Sequence, residues 1–143
     1  MPEDLVLIDT DVWSRVVFTS RDRDPRVATW RRLLLGKQPL IAAQTEGELR
    51  FGALAKHWGT AKLAALDAQL AKTPTVPVTD EVIQSFASVR AACRQSGHAL
   101  ADKIHMGDAW IAATAHAHRL QLLSGDDIYR GVDGPRLLEG NDI

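Results

Sequence analysis

Four acidic residues of this sequence stand where a predicted strand ends or where the next helix begins. They are Asp9, Glu48, Asp108 and Asp126. The carboxyl ends of parallel strands lie along one edge of a sheet, so these side chains are expected to meet there. Clustered carboxylates repel one another, and some must take up protons at neutral pH unless a cation lies between them. The pattern predicts a site for Mg²⁺ or Mn²⁺, which prefer oxygen ligands.

A divalent cation at such a site favours hydrolysis of a phosphodiester, because it polarises a phosphoryl oxygen and lowers the pKa of bound water. Each acid also has a purely structural interpretation. Three of them are aspartates at places where aspartate commonly caps or turns the chain. Glu48 could complete a capping box with Thr45 at the start of a helix. The metal-site hypothesis therefore depends on the four acids together.

Three of the four acids have an acidic neighbour that competes for the same role. Asp11 lies inside the start of a predicted helix, whereas Asp9 ends the preceding strand. Glu46 and Glu48 are two residues apart on a helix, so only one of them can face the site. Asp127, next to the fourth acid, is expected to cap the following turn.

The elements that must position these acids follow from the hydrophobic pattern. The predicted strands comprise residues 5–8, 39–43, 73–79, 120–123 and, as a short fifth strand, part of 129–138. Unbroken apolar runs indicate strands buried on both faces, and Pro77 restricts the third strand to an edge of the sheet. The predicted helices begin near residues 10 and 25 and extend over 46–56, 59–71, 80–94 and 108–119. This alternation predicts an α/β fold, a single domain over residues 1–143 with a mainly parallel sheet of four to five strands and helices on both faces.

The composition is that of an ordinary globular domain. The chain has 143 residues, of which 45% are hydrophobic, and its net charge of −1 gives no sign of an overall basic surface for nucleic acid. The single cysteine, Cys93, excludes an internal disulfide, which fits a reducing cytoplasm, and it is expected in the core or on a helix surface and not as a nucleophile. No apolar run approaches the length of a membrane span. The first residues carry acids and lead into a strand, so they are not expected to form a signal peptide.

Four segments of the chain resemble the signature segments of PIN-domain ribonucleases, in particular the VapC toxins of bacterial toxin–antitoxin modules. They are IDTDVW at 8–13, ELRFGA at 48–53, DAWIAATA at 108–115 and LSGD at 123–126. The similarity runs in order from about residue 5 to residue 138. The resemblance implies that Asp9, Glu48, Asp108 and Asp126 are the Mg²⁺ or Mn²⁺ ligands, and it selects Glu48 over Glu46. Ser124 matches a hydroxyl residue that orients a ligand or the attacking water.

The resemblance also implies an activity and partners. It indicates a metal-dependent endoribonuclease toxin that cuts RNA, often tRNA or rRNA, forms a homodimer and is inhibited by a small DNA-binding antitoxin. This sequence departs from the family pattern at Asp11, where many relatives have Asn or Ser. It also has a longer segment over residues 97–108, which carries His98, Asp102 and His105.

Basic and aromatic residues allow two interpretations each. Six arginines lie within residues 15–32, at positions 15, 21, 23, 26, 31 and 32. They form either a solvated face, since Asp22 and Asp24 are interleaved, or a phosphate-contacting rim near Asp9. The aromatic residues Trp13, Trp30, Phe51 and Trp58 are expected mainly in the core, or in a groove for a partner peptide.

Two other classes of protein compete with the ribonuclease hypothesis. A haloacid-dehalogenase-like phosphatase would use Asp9 as nucleophile, but Trp13 occupies the place where that family has Thr or Val. A receiver domain would require a lysine after the last strand, and no lysine follows Lys103. A non-catalytic binding module on a PIN-like fold is the other alternative, and the presence of all four acids argues against it.

Overall fold

A parallel sheet of five strands forms the centre of the computed structural model, which describes residues 4–19 and 22–139. The strands are β1 (Leu5–Ile8), β2 (Gln38–Ala42), β3 (Thr75–Val76), β4 (Gln121–Leu123) and β5 (Arg136–Leu137). Their order across the sheet is β3-β2-β1-β4-β5, and every neighbouring pair is parallel. The predicted α/β fold is confirmed, including the edge position of the strand next to Pro77.

Helices connect the strands. They are α1 (Thr10–Val12), α2 (Arg26–Leu33), α3 (Ala43–Ala55), α4 (Thr60–Leu70), α5 (Asp80–Ser96) and α6 (Met106–Ala117). A π-helical segment, Trp13–Phe18, continues α1, and single 3₁₀ turns comprise Ala99–Ala101, Lys103–His105 and Asp127–Tyr129. No helix in the described ranges is both long enough and apolar enough to cross a membrane.

The hydrophobic core lies on both faces of the sheet, because successive residues of β1 point to opposite sides. Val6 and Ile8 pack with Trp13 and Trp30 on one face. Leu7 packs on the other face against residues of α5 and α6, among them Val89, Cys93, Ala112 and Ala115. The buried alanines of α6 let this helix lie close to the sheet. Cys93 is buried, which selects the core over the helix surface among the two predicted places.

Two helices begin earlier than the sequence predicts. Helix α3 starts directly after β2, with Ala42 as its N-cap, so the predicted capping box of Thr45 and Glu48 is wrong. Thr45 instead lies fully buried in the first turn. Helix α6 starts at Met106, so Asp108 belongs to its first turn and does not open it.

The expectation that Phe51 lies in the core is also wrong. Its side chain is 72% exposed on α3, and Leu54 on the same helix is 67% exposed. Trp13 and Trp30 are buried, and Trp58 is half-buried in a stack with Phe18. Helical periodicity alone does not identify which apolar face a helix turns outward.

Candidate active site

The four acids of the sequence hypothesis line one open pocket of about 520 Å³ at the carboxyl edge of the sheet. Its lining comprises Asp9, Thr10, Asp11, Glu48, Asp108, Ile111, Gly125, Asp126 and Asp127. The strand β1 ends at the first acid, β4 precedes the fourth, and α3 and α6 carry the other two. The structure therefore brings together carboxylates that are up to 117 positions apart in the sequence.

Asp9 is the most buried of these acids, with only 6% of its surface exposed. Its Oδ1 accepts a hydrogen bond from the backbone N–H of Val12 at 3.1 Å, and its Oδ2 accepts one from the Ser124 hydroxyl. The pKa of Asp9 is raised from 3.8 to about 6, chiefly by burial and to a smaller extent by the nearby negative charges of Asp11 and Asp126, while the hydrogen bonds from Ser124 and Val12 act in the opposite direction. Asp9 is thus a carboxylate whose negative charge is poorly compensated by the protein.

Glu48 is held by two side chains and faces the pocket. The hydroxyl of Thr10 donates to its Oε1 at 2.5 Å, and the amide of Gln44 donates to its Oε2 at 3.2 Å. Glu46, the competing acid, accepts a hydrogen bond from Thr75 at 2.7 Å and pairs with Arg50 at 2.9 Å. The structure places Glu48, and not Glu46, at the site.

Asp108 is contacted by an imidazole and a phenol. The Nδ1 atom of His105 lies 3.0 Å from Oδ2, and the hydroxyl of Tyr129 donates to Oδ1 at 3.4 Å. Burial and the charge of Asp108 raise the pKa of Tyr129 above its ordinary value, so its hydroxyl keeps its proton and acts as a donor. The longer segment before α6 therefore supplies one of the groups that contact the site, whereas His98 contacts the carbonyl of Arg130 at 2.7 Å.

Of the two neighbouring acids after β4, Asp126 and not Asp127 caps the following turn, so the predicted capping role of Asp127 is wrong. Asp126 caps the 3₁₀ turn, since its Oδ1 accepts from the N–H of Ile128 at 2.9 Å. Asp127 does not cap this turn; its exposed carboxylate pairs with Arg130 at 3.2 Å. Ser124 ties this loop to the site, because its hydroxyl accepts from the N–H of Asp126 at 2.9 Å and donates to Asp9.

Two arginines lie beside Asp11, one of the residues that line the pocket. Asp11 is half-exposed at the rim, where Arg15 lies 3.0 Å and Arg26 lies 3.8 Å from its carboxylate. Arg26 also pairs with Asp24 at 2.8 Å and donates to the carbonyl of Gly125 at 3.2 Å. These cations are paired with acids, as the solvated-face interpretation expects, and their contact with phosphate stays a prediction. Arg21 lies outside the described residues.

Gly125 is required by this packing. A Cβ atom at this position would lie 2.5 Å from an Nη of Arg26 and 2.8 Å from the ring of Trp30. Arg26 stacks over that ring at 4.9 Å. The loop that carries Ser124 and Asp126 is thereby packed directly against α2.

The donors in this pocket fit a hard divalent cation in their chemistry. Each acidic ligand of the hypothesis offers carboxylate oxygen, and no thiol or imidazole lines the pocket within the described ranges. In residues 4–19 and 22–139, no three acidic, histidine or cysteine side chains lie close enough together to hold an ion as placed. The carboxylate oxygens are engaged by protein hydrogen-bond donors. The pocket therefore matches a divalent cation in the type and number of ligands that line it. The raised pKa of Asp9 shows that the protein compensates its negative charge poorly, and a bound cation would compensate it.

Sequence reasoning missed three side chains that contact these acids: Thr10, Gln44 and Tyr129. Thr10 stands between two acids, and Gln44 is four residues before Glu48, which is a helical contact spacing. The sequence contains both patterns. The contact between Gln44 and Glu48 could be inferred only once α3 was known to begin at Ala43. Tyr129 reaches Asp108 across a separation of 21 residues, for which the sequence holds no local signal.

Comparison with known proteins agrees with this fold. The PIN domain pattern matches residues 6–135, and the chain belongs to the PIN-domain family. A curated relative is ribonuclease VapC5 of Mycobacterium tuberculosis, which is 32% identical over 98 residues that make up 66% of this chain and 69% of that protein. The predicted resemblance to PIN-domain ribonucleases of the VapC type is confirmed.

Solved structures share the fold over almost the whole chain. The structure of VapBC-5 from Mycobacterium tuberculosis, a member of the VapBC family of toxin–antitoxin systems, has a TM-score of 0.65 at 26% identity and covers 93% of this chain and 94% of that chain. VapBC2 from Rickettsia felis, solved bound to a DNA fragment from their promoter, has a TM-score of 0.75 at 16% identity, with 93% and 96% covered. The second comparison supports the fold alone.

Proposed function

We propose that this protein is a metal-dependent endoribonuclease, the toxin of a toxin–antitoxin module, which hydrolyses phosphodiester bonds in RNA such as tRNA or rRNA. The observation that carries the proposal is the convergence of four carboxylates on one open pocket of a PIN domain. Similarity to ribonuclease VapC5 supports the type of substrate. The open pocket at the sheet edge suits a polymeric substrate better than an enclosed cavity would.

In this proposal, Asp9, Glu48, Asp108 and Asp126 hold Mg²⁺ or Mn²⁺, which when bound polarises a phosphoryl oxygen and acidifies water. The protein contributes the orientation of these acids. The Ser124 hydroxyl and a backbone N–H fix both oxygens of Asp9. Arg26 on the rim provides a guanidinium that can contact a phosphate of the bound RNA.

The phosphatase alternative has little support from the site. A nucleophilic Asp9 would have to be an accessible carboxylate beside a cationic lysine, but Asp9 is buried and no lysine lines the pocket in the described part of the chain. The non-catalytic alternative predicts a pocket that binds RNA or protein without cutting, and the activity test separates it from the ribonuclease.

The purified protein, free of any partner, should cleave total RNA in Mg²⁺ or Mn²⁺ and should leave it intact in EDTA. The reason is that the proposed ligands are all carboxylates, which suit a divalent cation, and that the bound cation would supply the acidified water for hydrolysis. Denaturing gel electrophoresis of matched reactions measures this result. Equal cleavage with and without EDTA would contradict the mechanism, and absence of cleavage in every metal would favour the binding module.

We also propose a cognate antitoxin that covers the pocket and places an Arg or Lys among the acids. A guanidinium or ammonium there would compensate the charge that the metal otherwise compensates. The side chain of Trp13 is fully buried and cannot contact this partner, but Trp30 and Leu33 of α2 line an adjoining cavity of about 280 Å³ that can receive an apolar side chain. The VapBC-5 structure, a relative at 26% identity, belongs to a toxin–antitoxin system.

The antitoxin should inhibit RNA cleavage, and alanine substitution of its pocket-facing basic residue should relieve that inhibition. Gel assays with the purified complex measure both effects. A partner that binds the opposite face and leaves cleavage unchanged would contradict this arrangement.

A homodimer is the proposed assembly, with the two acid pockets opening onto a shared groove. The exposed apolar side chains of α3 support it, because Phe51 and Val78 line an open depression that borders Glu48. The substitution Phe51→Glu should convert a dimer into a monomer in light scattering at micromolar concentration. A parent protein that is already monomeric would contradict the proposal.

The single domain over residues 1–143 and the cytoplasmic location remain proposals. The first is supported by the PIN match over residues 6–135, and the second by the free, buried thiol of Cys93, which suits a reducing compartment.

A further inference from the structure

Both carboxylate oxygens of Glu48 are engaged by side chains from two different helices. Thr10 of α1 contacts Oε1 at 2.5 Å, and Gln44 of α3 contacts Oε2 at 3.2 Å. The 2.5 Å separation is at the short end of the range for a hydroxyl that donates to a carboxylate, where such bonds are strongest. Glu48 has the longest side chain of the four acids and can adopt the most rotamers. The direction of its carboxylate therefore depends on these contacts.

The proton arrangement around Thr10 is determined by its partners. The hydroxyl of Thr10 also lies 3.2 Å from the hydroxyl of Thr45. A hydroxyl has one hydrogen, and a carboxylate can only accept, so the hydrogen of Thr10 points to Glu48. Thr45, which is fully buried, must then donate to Thr10. The result is a chain of donors from Thr45 through Thr10 to Glu48, in which each bond polarises the next.

The other carboxylate oxygen of Glu48, Oε2, is held by close packing between α3 and α6. Gln44 and Glu48 are four residues apart and share one face of α3. The first turn of α6 lies against this pair at Gly107, where a Cβ atom would be 2.9 Å from the amide nitrogen of Gln44 and 3.1 Å from Oε2 of Glu48. Glycine at this position therefore lets α6 close over both side chains and restrict their rotamers.

We propose that Thr10 and Gln44 are positioning residues that hold Glu48 in the orientation needed to bind the metal ion. The inference rests on the proposed function, because it assigns these residues to the same metal site. Supporting residues around metal ligands typically contribute 10-fold to 100-fold in metal affinity or activity, about the effect expected here.

The test compares four variants by Mn²⁺ binding, followed by electron paramagnetic resonance, and by thermal melting in EDTA. Thr10→Val removes the hydroxyl at nearly constant volume, and Gln44→Met removes the amide. Thr10→Ser keeps the hydroxyl and should restore binding. Thr73→Val is the matched control, because Thr73 is a buried hydroxyl that accepts from the indole of Trp13 at 3.0 Å in the core.

Thr10→Val should weaken Mn²⁺ binding by about 10-fold to 100-fold, and Gln44→Met by less, since its contact is longer. Thr10→Ser should bind nearly as the parent does. Thr73→Val should lower the melting temperature and leave Mn²⁺ affinity unchanged.

The inference is overturned if Thr10→Val binds Mn²⁺ as tightly as the parent while the parent both binds the ion and cleaves RNA. It is also overturned if Thr10→Ser loses as much affinity as Thr10→Val. A parent that neither binds Mn²⁺ nor cleaves RNA overturns the proposed function, and this inference with it.

Discussion

In EDTA at neutral pH, the Asp9→Asn variant should unfold at a higher temperature than the parent protein. The pKa of Asp9 is raised from its ordinary value of 3.8 to about 6, chiefly by burial. The ionised carboxylate therefore destabilises the folded state, whereas water solvates it freely in the unfolded chain. At about 1.4 kcal/mol per pH unit, this difference corresponds to about 3 kcal/mol in the free energy of unfolding. Asparagine is nearly isosteric and keeps the acceptor for the N–H of Val12.

The pH dependence of this gain has a definite sign. Below pH 3.8 the acid is protonated in both states of the parent and contributes no difference. Between pH 3.8 and about 6 the folded state retains a proton that the unfolded state has lost, so the stability of the parent falls as the pH rises. The advantage of Asp9→Asn should therefore be close to zero at pH 3.5 and complete above about pH 7.

Urea unfolding in EDTA at pH 3.5, 5 and 7.5 measures the difference. The variant Asp4→Asn, which changes the net charge equally at an exposed position, is the matched control. An Asp9→Asn variant that is less stable than the parent at pH 7.5 would mean that the hydrogen bond that Ser124 donates to the Asp9 carboxylate outweighs the cost of burying its charge.

The Asp108→Asn variant should lose RNA cleavage while keeping its fold. We expect a loss of more than about 100-fold, the upper end of the effect of a residue that only supports a metal ligand. In EDTA the variant should be as stable as the parent or more stable by about 1 kcal/mol, because the pocket then holds one carboxylate fewer and the repulsion between negative charges is smaller. The asparagine oxygen can still accept from Tyr129, which limits any loss of packing.

The response of the melting temperature to Mg²⁺ distinguishes a residue that binds the ion from a residue that only supports the fold. It should raise the melting temperature of the parent, since the ion binds only the folded site, and it should raise that of Asp108→Asn much less. Asp102→Asn, on the exposed segment just before α6, is the matched control and should respond to Mg²⁺ as the parent does. If Asp108→Asn melts well below the parent in EDTA, Asp108 serves the fold and not the metal.

The centre of the sheet was predictable because β1 and β4 are short, largely buried apolar runs. Residues 5–8 are identified in this way without reference to the rest of the chain. The start of α3 was not, because Ala42 caps it without a side-chain bond and Thr45 has the residue type of a better cap. Exposure of Phe51 was also unpredictable, since it depends on which part of α3 the other elements leave uncovered.

The candidate site likewise has a part that the sequence predicts and a part that depends on tertiary packing. Asp9 follows a recognisable strand, so its position at the sheet edge is encoded locally. Glu48 and Asp108 are oriented by side chains such as Thr10 and Tyr129, which reach them from other elements. Residue type and spacing identify an acid, whereas the direction of its carboxylate depends on tertiary packing.

The central position of β1 has a consequence for the motions of the site. This strand contributes to both core clusters, and the N–H of Asp9 donates to the carbonyl of Leu123 at 3.1 Å, which continues its pairing with β4. Hydrogen exchange at this amide therefore requires disruption of the sheet and of both cores, and it should be among the slowest in the protein. Asp9 should therefore keep its place at the edge of the pocket for as long as the sheet stays closed.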